Sequence, residues 1–447
     1  MKLHSESYSK YKGCKGEWLP SIPFEWQELR VKDLFRLVTE SAPANNDYEL
    51  LSLYSSIGVR PRKDMEARGN KASSTDGYWI VKKNDIVVNK LLAWMGGVGL
   101  SVYDGVTSPA YDVLRQTKPD IDPRYFSYLF RTEIAKKIFR KNSRGIMDMR
   151  LRLYFDKLGA IIVPLPSLGE QQIISDYIDQ KVRQIDSKVS LLEKKSAAYC
   201  RLKRVISDRT VLTGLNESVT KQFSKKTGIT EVPSHWKVLR LKEIGFLYSG
   251  LTGKKGDDFT DEHLNSTPFI PFTNIAKNFL LSANELKSVV IHKGESQNEV
   301  KKNDLFFLMS SEDYNDIGRC SLLVDDLERT TYLNSFCKGF RIIKKDVNPK
   351  FLNYLLHTSI YRSNLSIEGK GFTRINLKME KVNDIKLVLP PMDEQIEAVK
   401  FLDENINKID RLINNIEKQI YKLKELRIAI VNDAVLGRIK IPVNNKG

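Results

Sequence analysis

Two passages decide the fold of this chain: LPSLGEQQIISDYIDQKVRQID, residues 165–186, and LPPMDEQIEAVKFLDENINKID, residues 389–410. They align at an offset of 224 residues, the distance from Glu170 to Glu394. A repeat of this length inside one chain indicates a duplicated structural unit. The sequence therefore predicts two similar halves, each ending in the helix that the repeated passage begins.

Further passages repeat in the same order, at offsets that drift because insertions separate them. IPFEWQELRVKDL echoes VPSHWKVLRLKEI, VKKNDIVV echoes VKKNDLFF, and IDPRYFSYLFRT echoes VNPKFLNYLLHT. The VKKND passages predict strand-turn-strand elements, with turns at Asn84-Asp85 and Asn303-Asp304. The DPRYF and NPKFL passages have helical periodicity and place a proline near the first turn. Each half thus begins with a mixed α/β globular part.

The helix after each repeated passage has the heptad spacing of a coiled coil. Ser196, Lys203 and Arg427 interrupt its apolar seam, and such polar breaks fix register. Ser167, with Glu170 three residues later, is the expected N-cap of the first helix, and Asp393 that of the second. The apolar seam positions are Ile178, Val182, Ile185, Val189 and Leu192 in the first helix, and Leu402, Ile406, Ile409, Ile413, Ile416 and Ile420 in the second.

These patterns predict an α+β protein with a pseudo-twofold internal repeat. Two mixed α/β domains are joined by two long helices that pair as an antiparallel coiled coil, each a rod of roughly 65 Å. Gly214 and Gly437 are expected to end the helices. The predicted segments are a first globular domain (1–166), a first helix (167–214), a second globular domain (215–391), a second helix (392–437) and a tail (438–447).

The charge balance favours a polyanionic partner, because the net charge is +17 and the isoelectric point is about 9.4. No apolar run reaches the roughly 20 residues that span a bilayer, and the N-terminus has no signal sequence, so we expect no membrane contact. Four scattered cysteines without a CxxC pair favour reduced thiols in a cytoplasm. The histidines stand apart in the sequence, so we expect no metal site.

We find no credible active site in the sequence. SPAY (Ser108 to Tyr111) loosely resembles the tetrapeptide of adenine methyltransferases, but Ala110 replaces a proline and no cofactor loop precedes it; a structural turn is the better interpretation. SGLTGKKG lacks the phosphate-loop pattern and is better interpreted as a basic loop able to touch DNA phosphates. DIVVNK has one acidic residue where a nuclease needs two.

Basic residues interleaved with aromatic ones predict the DNA-binding surface. A solvated basic face would explain any single residue equally well. The recurrence of a glycine followed by arginine beside the last strand of both halves favours Arg144, Arg150, Lys370 and Arg374. Trp94 is interpreted as a core residue. The full predicted set is Arg60, Arg62, Lys63, Lys90, Arg140, Lys141, Arg144, Arg150, Lys254, Lys255, Lys370, Arg374 and Lys378.

The duplicated PLPxxxEQ passage, following SPAYDVLR, DPRYFSYLFRT and GIMDMRLRLYFDKLGAIIVPLP, resembles the specificity subunit of type I restriction-modification systems over nearly the whole chain. The resemblance implies two target recognition domains that each read half of a bipartite, asymmetric site on double-stranded DNA. It also implies conserved spacer helices that dock two modification (methyltransferase) subunits, with restriction (translocase/nuclease) subunits joining them. S-adenosylmethionine, ATP and Mg²⁺ would belong to those partners, and this chain would bind no cofactor and catalyse no reaction.

Two other functions stay open on the sequence. A methyltransferase, or a fused nuclease-methyltransferase, would need its own cofactor loop. A coiled-coil scaffold would bind DNA without the steep salt dependence that phosphate neutralisation produces. For the specificity subunit we expect the paired helices to set the spacing of the half-sites. We also expect the two domains to read different sequences, because the stretch from Asn89 to Arg115 has no close match in the second half.

Overall fold

A computed structural model describes residues 7–54, 58–65, 74–146, 150–222, 231–260, 266–284, 286–371 and 374–442. The chain divides into two compact units. The first unit comprises Met1–Glu193 with Glu417–Gly447, and the second comprises Lys194–Ile416. Each unit therefore contains parts of both long helices. The five consecutive segments expected from the sequence stay a prediction, since the compact units cut across the helices.

The first unit contains a mixed α/β lobe. Its strands are β1 (Tyr11–Gly13), β2 (Ser21–Pro23), β3 (Gln27–Arg30), β4 (Phe35–Leu37), β5 (Leu51–Tyr54), β6 (Gly58–Pro61), β7 (Trp79–Val81), β8 (Ile86–Asn89), β9 (Val98–Leu100), β10 (Gly105–Thr107), β11 (Tyr111–Gln116) and β12 (Ile162–Leu165). Its helices are α1 (Val31–Leu34), α2 (Pro123–Leu129), α3 (Glu133–Asn142), α4 (Phe155–Leu158) and the start of α5 (Leu168–Thr213). The strands β4-β11-β8-β9 form one antiparallel sheet, and β12 pairs with β3 just before α5 begins.

Aromatic side chains fill the core of this lobe. Phe126 of α2 packs edge-on against Phe35, with ring centroids 5.2 Å apart. The same core includes Ile174 and Ile178 from the start of α5, and Val435 from the far end of the chain. The lobe therefore buries apolar surface against both long helices, which stabilises their attachment.

The second unit contains a lobe of the same kind. Its strands are β13 (Lys221–Gln222), β14 (Val232–Pro233), β15 (Lys237–Arg240), β16 (Gly245–Ser249), β17 (Ser266–Ile270), β18 (Leu280–Leu281), β19 (Lys287–Val290), β20 (Leu305–Leu308), β21 (Ser310–Ser311), β22 (Cys320–Leu323), β23 (Tyr332–Leu333), β24 (Cys337–Ile342), β25 (Ile375–Asn376) and β26 (Lys386–Leu389). Its helices are α6 (Phe272–Lys277), α7 (Pro349–Leu356), α8 (Ser359–Glu368), α9 (Met379–Asn383) and α10 (Met392–Val435), which ends in the first unit. The order β16-β24-β20-β22 repeats the sheet of the first unit, and β18 adds a parallel strand at its edge.

The predicted fold class is confirmed, with local corrections. Both turns form, and Asn84 and Asn303 adopt positive φ angles of 73° and 71°. The strand expected before the second turn is absent: Val300 makes a single backbone bond to Thr331 outside any strand. Each helical passage is divided in two, because Thr132 and Thr358 adopt extended backbone angles at the N-caps of α3 and α8.

The long helices begin and end close to the predicted positions. The Ser167 hydroxyl accepts the backbone N–H of Glu170 at 3.3 Å, as an N-cap does. The expectation for Asp393 is wrong, because α10 begins at Met392 and Asp393 lies inside its first turn. Gly214 and Gly437 follow the helices with positive φ angles of 78° and 66°, where a glycine is favoured.

The Glu-Gln dipeptide of the repeated passage joins each helix to its lobe. The Gln171 carbonyl oxygen accepts the backbone N–H of Asp122 at 2.8 Å, and its amide donates to the Pro166 carbonyl at 2.9 Å. Glu170 accepts the indole N–H of Trp26 at 3.1 Å. The carboxylate of Glu170 therefore bonds side chains of the lobe instead of the first turn of its own helix.

The same contacts occur in the second unit. Gln395 accepts the backbone N–H of Asn348 at 2.8 Å and donates to the carbonyl of Pro390 at 2.9 Å. Glu394 accepts the indole N–H of Trp236 at 3.1 Å. The repeated dipeptide is therefore a joint between lobe and helix, formed in the same way in both units.

Within each unit, parts of α5 and α10 run antiparallel. In the first unit, Asp186 of α5 pairs with Arg427 of α10 at 3.3 Å. In the second, Lys203 of α5 pairs with Asp410 of α10 at 2.8 Å. The eleven apolar seam residues predicted on α5 and α10 are buried or half-buried. Two of the three polar breaks in the seam therefore meet an aspartate of the other helix.

Candidate nucleic-acid interface

Each lobe contains a short loop that is held by a pair of backbone hydrogen bonds and a glycine. We call it the glycine hairpin; it spans 144–152 in the first unit and 370–376 in the second, apart from residues 147–149 and 372–373, which lie outside the description. Arg144 and Arg152 exchange two backbone hydrogen bonds of 2.9 Å. Lys370 and Asn376 exchange two of 3.0 and 2.9 Å. The hairpin therefore holds basic residues on a fixed backbone.

The glycine of each hairpin is required by a close approach. Gly145 and Gly371 have φ angles of 157° and 149°. A Cβ atom on Gly145 would lie 2.5 Å from the carbonyl oxygen of Arg150, and one on Gly371 would lie 1.8 Å from that of Arg374. Only glycine permits this approach without a shift of the backbone. Arg150 and Arg374 thus occupy matching positions.

Each hairpin is attached to the end of a central strand. The backbone N–H of Leu153 donates to the carbonyl of Lys90, which follows β8, at 2.9 Å. The N–H of Leu377 donates to the carbonyl of Met309, which follows β20, at the same distance. The structure therefore brings exposed predicted DNA-binding residues together at this end of each sheet. They are Arg144 and Arg150 in the first unit, and Lys370, Arg374 and Lys378 in the second.

In the first unit, Lys90 lies half-buried beside this hairpin. Its ammonium donates to the carbonyl of Pro109 at 2.7 Å and lies 3.4 Å from a carboxylate oxygen of Asp112. Burial raises the pKa of Asp112, and the charge of Lys90 lowers it. The carboxylate therefore offsets part of the positive charge that Lys90 brings to the surface.

Trp94 and Arg140 form a second feature of the first unit. The guanidinium of Arg140 lies 5.5 Å from the centre of the Trp94 ring, within cation–π range. Trp94 is half-buried, and its indole N–H donates to the carbonyl of Leu91 at 3.0 Å. Lys141, next to Arg140, forms an ion pair with Glu17.

In the second unit, Arg374 stacks on Phe336. Its guanidinium carbon lies 4.3 Å from the ring centre, and both residues are exposed. The backbone of Phe336 is fixed on both sides: its N–H donates to the side-chain oxygen of Asn334 at 3.0 Å, and its carbonyl accepts from Met309 at 3.2 Å. Phe336 is not among the DNA-binding residues predicted from the sequence, because no local pattern links it to Arg374.

The other predicted residues lie elsewhere in the lobes. Arg60 donates to the hydroxyl of Tyr103 at 2.9 Å, and Lys63 pairs with Glu49. Arg62 begins a short helical turn after β6. The basic stretch that follows, residues 66–73, lies outside the description.

One of the two lysines in SGLTGKKG already forms a buried ion pair within the lobe. The side chain of Lys254 is 2% exposed and pairs with Glu295 at 2.6 Å, so its charge does not face solvent. Lys255 is exposed. SPAY forms a turn that leads into β11, with the N–H of Tyr111 donating to the carbonyl of Ser108 at 2.9 Å.

Within the described ranges, no group of three or more His, Cys, Asp or Glu side chains is placed to hold a metal ion. The same ranges contain no helix that is long and apolar enough to cross a membrane.

Comparison with known proteins gives one consistent result. Residues 23–194 and 233–422 each match the model of the Type I restriction modification DNA specificity domain. The type I restriction enzyme MjaVIII specificity subunit of Methanocaldococcus jannaschii is 24% identical over 427 residues, covering 94% of each chain. The type I restriction enzyme EcoBI specificity subunit of Escherichia coli is 22% identical over 289 residues, covering 62% of this chain and 58% of its own.

Solved structures share the fold. A chain from a structure on complex assembly and conformational transition of the type I R-M system aligns with a TM-score of 0.71 at 14% identity, covering 93% of this chain and 99% of its own. The HsdS subunit from Thermoanaerobacter tengcongensis aligns with a TM-score of 0.54 at 14% identity, covering 93% and 98%. At this identity the likeness concerns the fold.

Proposed function

This chain belongs to the family of type I restriction-modification DNA specificity subunits, and we propose that each of its units reads one half of a bipartite, asymmetric DNA site. One observation carries the proposal. In both units, a glycine hairpin with exposed cations is hydrogen-bonded to the end of an equivalent central strand. The side chains around the two hairpins differ. A shared support with different contact residues is what two readers of different sequences need.

The cations supply the affinity for DNA. Lys370 and Lys378 are exposed on and next to the second hairpin, and Arg144 and Arg150 are exposed on the first. Exposed lysine and arginine side chains neutralise phosphates and release counterions, which makes binding fall steeply with salt. The net charge of +17 adds long-range attraction for the duplex.

We further propose that the long helices dock the partner subunits. In the first unit, a groove of about 530 Å³ lies between α5 and α10. Exposed apolar side chains line it, Leu191 and Leu426 among them, and Lys188 and Lys422 flank them. A contiguous apolar patch with a polar rim is typical of a protein interface. We propose that two modification subunits dock along the helices and that restriction subunits join them, as the resemblance to the family implies.

The chemistry would then belong to those partners. We propose that this chain catalyses no reaction itself and that S-adenosylmethionine, ATP and Mg²⁺ bind the modification and restriction subunits. The modification subunits would flip and methylate one adenine in each half-site. The paired helices would set the number of base pairs between the half-sites. Four free cysteine thiols support work in the cytoplasm, where thiols stay reduced.

Selection from a randomised DNA library tests the proposal, using the full chain assembled with its modification subunits. We expect the wild type to select two short conserved blocks separated by a spacer of fixed length. Arg150→Ala should change the selected bases in one block, and Arg374→Ala should change them in the other. A single conserved block, or binding that does not weaken between 50 and 200 mM salt, where phosphate neutralisation costs roughly 10³-fold or more, would contradict it.

A further inference from the structure

Arg374 differs from the other arginines of the second lobe in how its donors are used. Arg341 donates to Asp304 at 2.6 Å, and Arg362 donates to backbone carbonyls at 2.8 and 2.9 Å. Arg319 pairs with Asp316 at 3.1 Å. Within the described part of the chain, Arg374 has no hydrogen-bond acceptor, and its guanidinium contacts the face of the Phe336 ring. All five of its N–H donors therefore remain available to a ligand.

The position of this guanidinium is fixed in advance. Below it, the hairpin backbone is held by the pair of bonds between Lys370 and Asn376 and by the close approach at Gly371. Above it, the guanidinium carbon lies 4.3 Å from the centre of the Phe336 ring. Stacking on a ring occupies the face of a guanidinium and leaves its N–H edge free, and less side-chain entropy is lost when a planar fork then binds.

We propose that Arg374 reads a guanine in the half-site contacted by the second unit, and that Phe336 is the residue that positions it. The inference rests on the proposed function, because it needs the second unit on DNA. Guanine offers two acceptors, O6 and N7, on its major-groove edge, and their spacing fits the fork of an arginine. Lys370 and Lys378 lie exposed beside Arg374 and are better suited to phosphates, since a lysine is a flexible point charge.

The first unit lacks this pair. Phe336 immediately precedes β24, and the residue that precedes the equivalent strand β11 is Ala110. Arg150 matches Arg374 in the hairpin but has no ring at the matching place. Trp94 stacks on Arg140, which lies on α3 and not on the hairpin. Among the residues that the structure describes, a hairpin arginine held against an aromatic ring therefore occurs only in the second unit, and this is one physical reason why the two half-sites should differ.

The experiment measures binding of the full chain, assembled with its modification subunits, to duplexes in which each base pair of the second half-site is varied singly. For the wild type, we expect one guanine whose replacement weakens binding roughly 10- to 100-fold. Replacing that guanine with 7-deazaguanine, which lacks only the N7 acceptor, should reproduce a large part of the loss. Arg374→Ala should remove the preference at this position and leave the others unchanged.

Two variants separate the roles. Phe336→Leu keeps an apolar side chain but removes the ring face, and should reduce the preference for guanine several-fold. Lys378→Ala should weaken binding to all duplexes alike and lower the salt dependence by about one phosphate contact. The temperature of thermal unfolding should be unchanged in these two variants and in Arg374→Ala, because the replaced side chains are exposed.

The outcomes distinguish the two levels of the proposal. If the wild type shows no bipartite preference, the proposed function fails. If the preference exists and Arg374→Ala keeps it at every position, or loses affinity evenly over all sequences, the guanine contact is wrong and the proposed function stands.

Discussion

The joint between lobe and helix is alike in the two units, whereas the surface at the strand ends differs between them. At the joint, Gln171 and Gln395 are both fully buried and accept from the backbone N–H of Asp122 and Asn348 at the same distance of 2.8 Å. At the strand ends, equivalent places hold unlike side chains. Lys90 in the first unit corresponds to Met309 in the second, and Ala110 corresponds to Phe336.

The difference has an energetic reason. A buried backbone N–H that loses its acceptor costs about 1–3 kcal/mol, so either glutamine can change only at the expense of the fold. At the strand ends, Ala110 and Phe336 are exposed and satisfy no such group, and most surface substitutions change stability by less than about 0.5 kcal/mol. A duplicated chain can therefore keep its support unchanged and vary its contacts with DNA.

The largest effect is expected at the joint. Gln171→Ala and Gln395→Ala should each lower the free energy of unfolding by about 2–4 kcal/mol, because each leaves a backbone N–H and a buried carbonyl without a partner. The N–H is buried at Asp122 and half-buried at Asn348. Urea unfolding measures the loss, and faster hydrogen exchange at the Asp122 or Asn348 amide locates it. Gln172→Ala, next in the helix and exposed, is the matched control and should have little effect. A loss in only one unit would break the equivalence of the two joints.

A second prediction is that acid lowers the stability of the second unit through a histidine that the first unit lacks at the equivalent position. Thr132 and Thr358 begin equivalent helices, and the residues before them are Arg131 and His357. Burial lowers the pKa of His357 to about 4, with nearby Arg362 and Arg319 contributing in the same direction. The unfolded chain, with an ordinary histidine pKa of about 6.5, binds a proton first as the pH falls, so the stabilisation present above that pH is lost towards pH 4.

We expect the second unit to lose about 2 kcal/mol of stability from this histidine between pH 7 and pH 5. His357→Asn keeps a donor for the Asn353 carbonyl, which His357 contacts at 2.9 Å, but cannot titrate. Urea unfolding of both proteins at the two pH values measures the difference. Equal acid sensitivity in the wild type and the variant would show that this histidine does not destabilise the unit in acid.

The sequence could predict the scaffold because its signals are local or periodic. Heptad spacing places Ile178 and Leu402 on buried faces, and a fixed offset shows that the unit occurs twice. It could not predict the side-chain partners of the Glu-Gln dipeptide. The local sequence around Glu170 fits a capping box, but its carboxylate accepts hydrogen bonds from Trp26 and Tyr8, which lie far from it in the sequence. Contacts over such separations leave no local pattern.

The candidate site was predictable only in part, for the same reason. The recurring glycine and arginine beside the last strand favoured residues that the structure places in the glycine hairpins, Arg374 among them, and their role in binding DNA stays a prediction. Phe336 precedes a strand far from that hairpin in the sequence, so its contact with Arg374 appears only after folding. Lys254 shows the opposite error, since a basic loop motif gave no sign that Glu295 would take its charge.

The smallest predicted effect concerns the ion pairs of the helix seam. Lys203–Asp410 and Asp186–Arg427 occupy equivalent positions, because each residue of one pair lies 224 positions from its counterpart in the other. Their side chains are between 36% and 57% exposed, so solvent screens them and each pair should contribute about 0.5–1 kcal/mol. Asp410→Lys should cost about 1 kcal/mol by placing like charges together, and adding Lys203→Asp should restore most of it.

The same set of single and double charge reversals at Asp186 and Arg427 tests whether the two ion pairs are equivalent as well as how much each stabilises the fold. Matching coupling energies, both reduced in 1 M salt where screening is nearly complete, would show that each unit holds its two helix segments in register by the same polar contact. A coupling in one pair alone would mean that the seam, unlike the Glu-Gln joint, has begun to differ between the units. Apolar burial of Ile178, Ile185, Leu402 and Ile409 would then have to fix the register without that contact, and an apolar seam tolerates a slip by one heptad far more easily than a charge pair does.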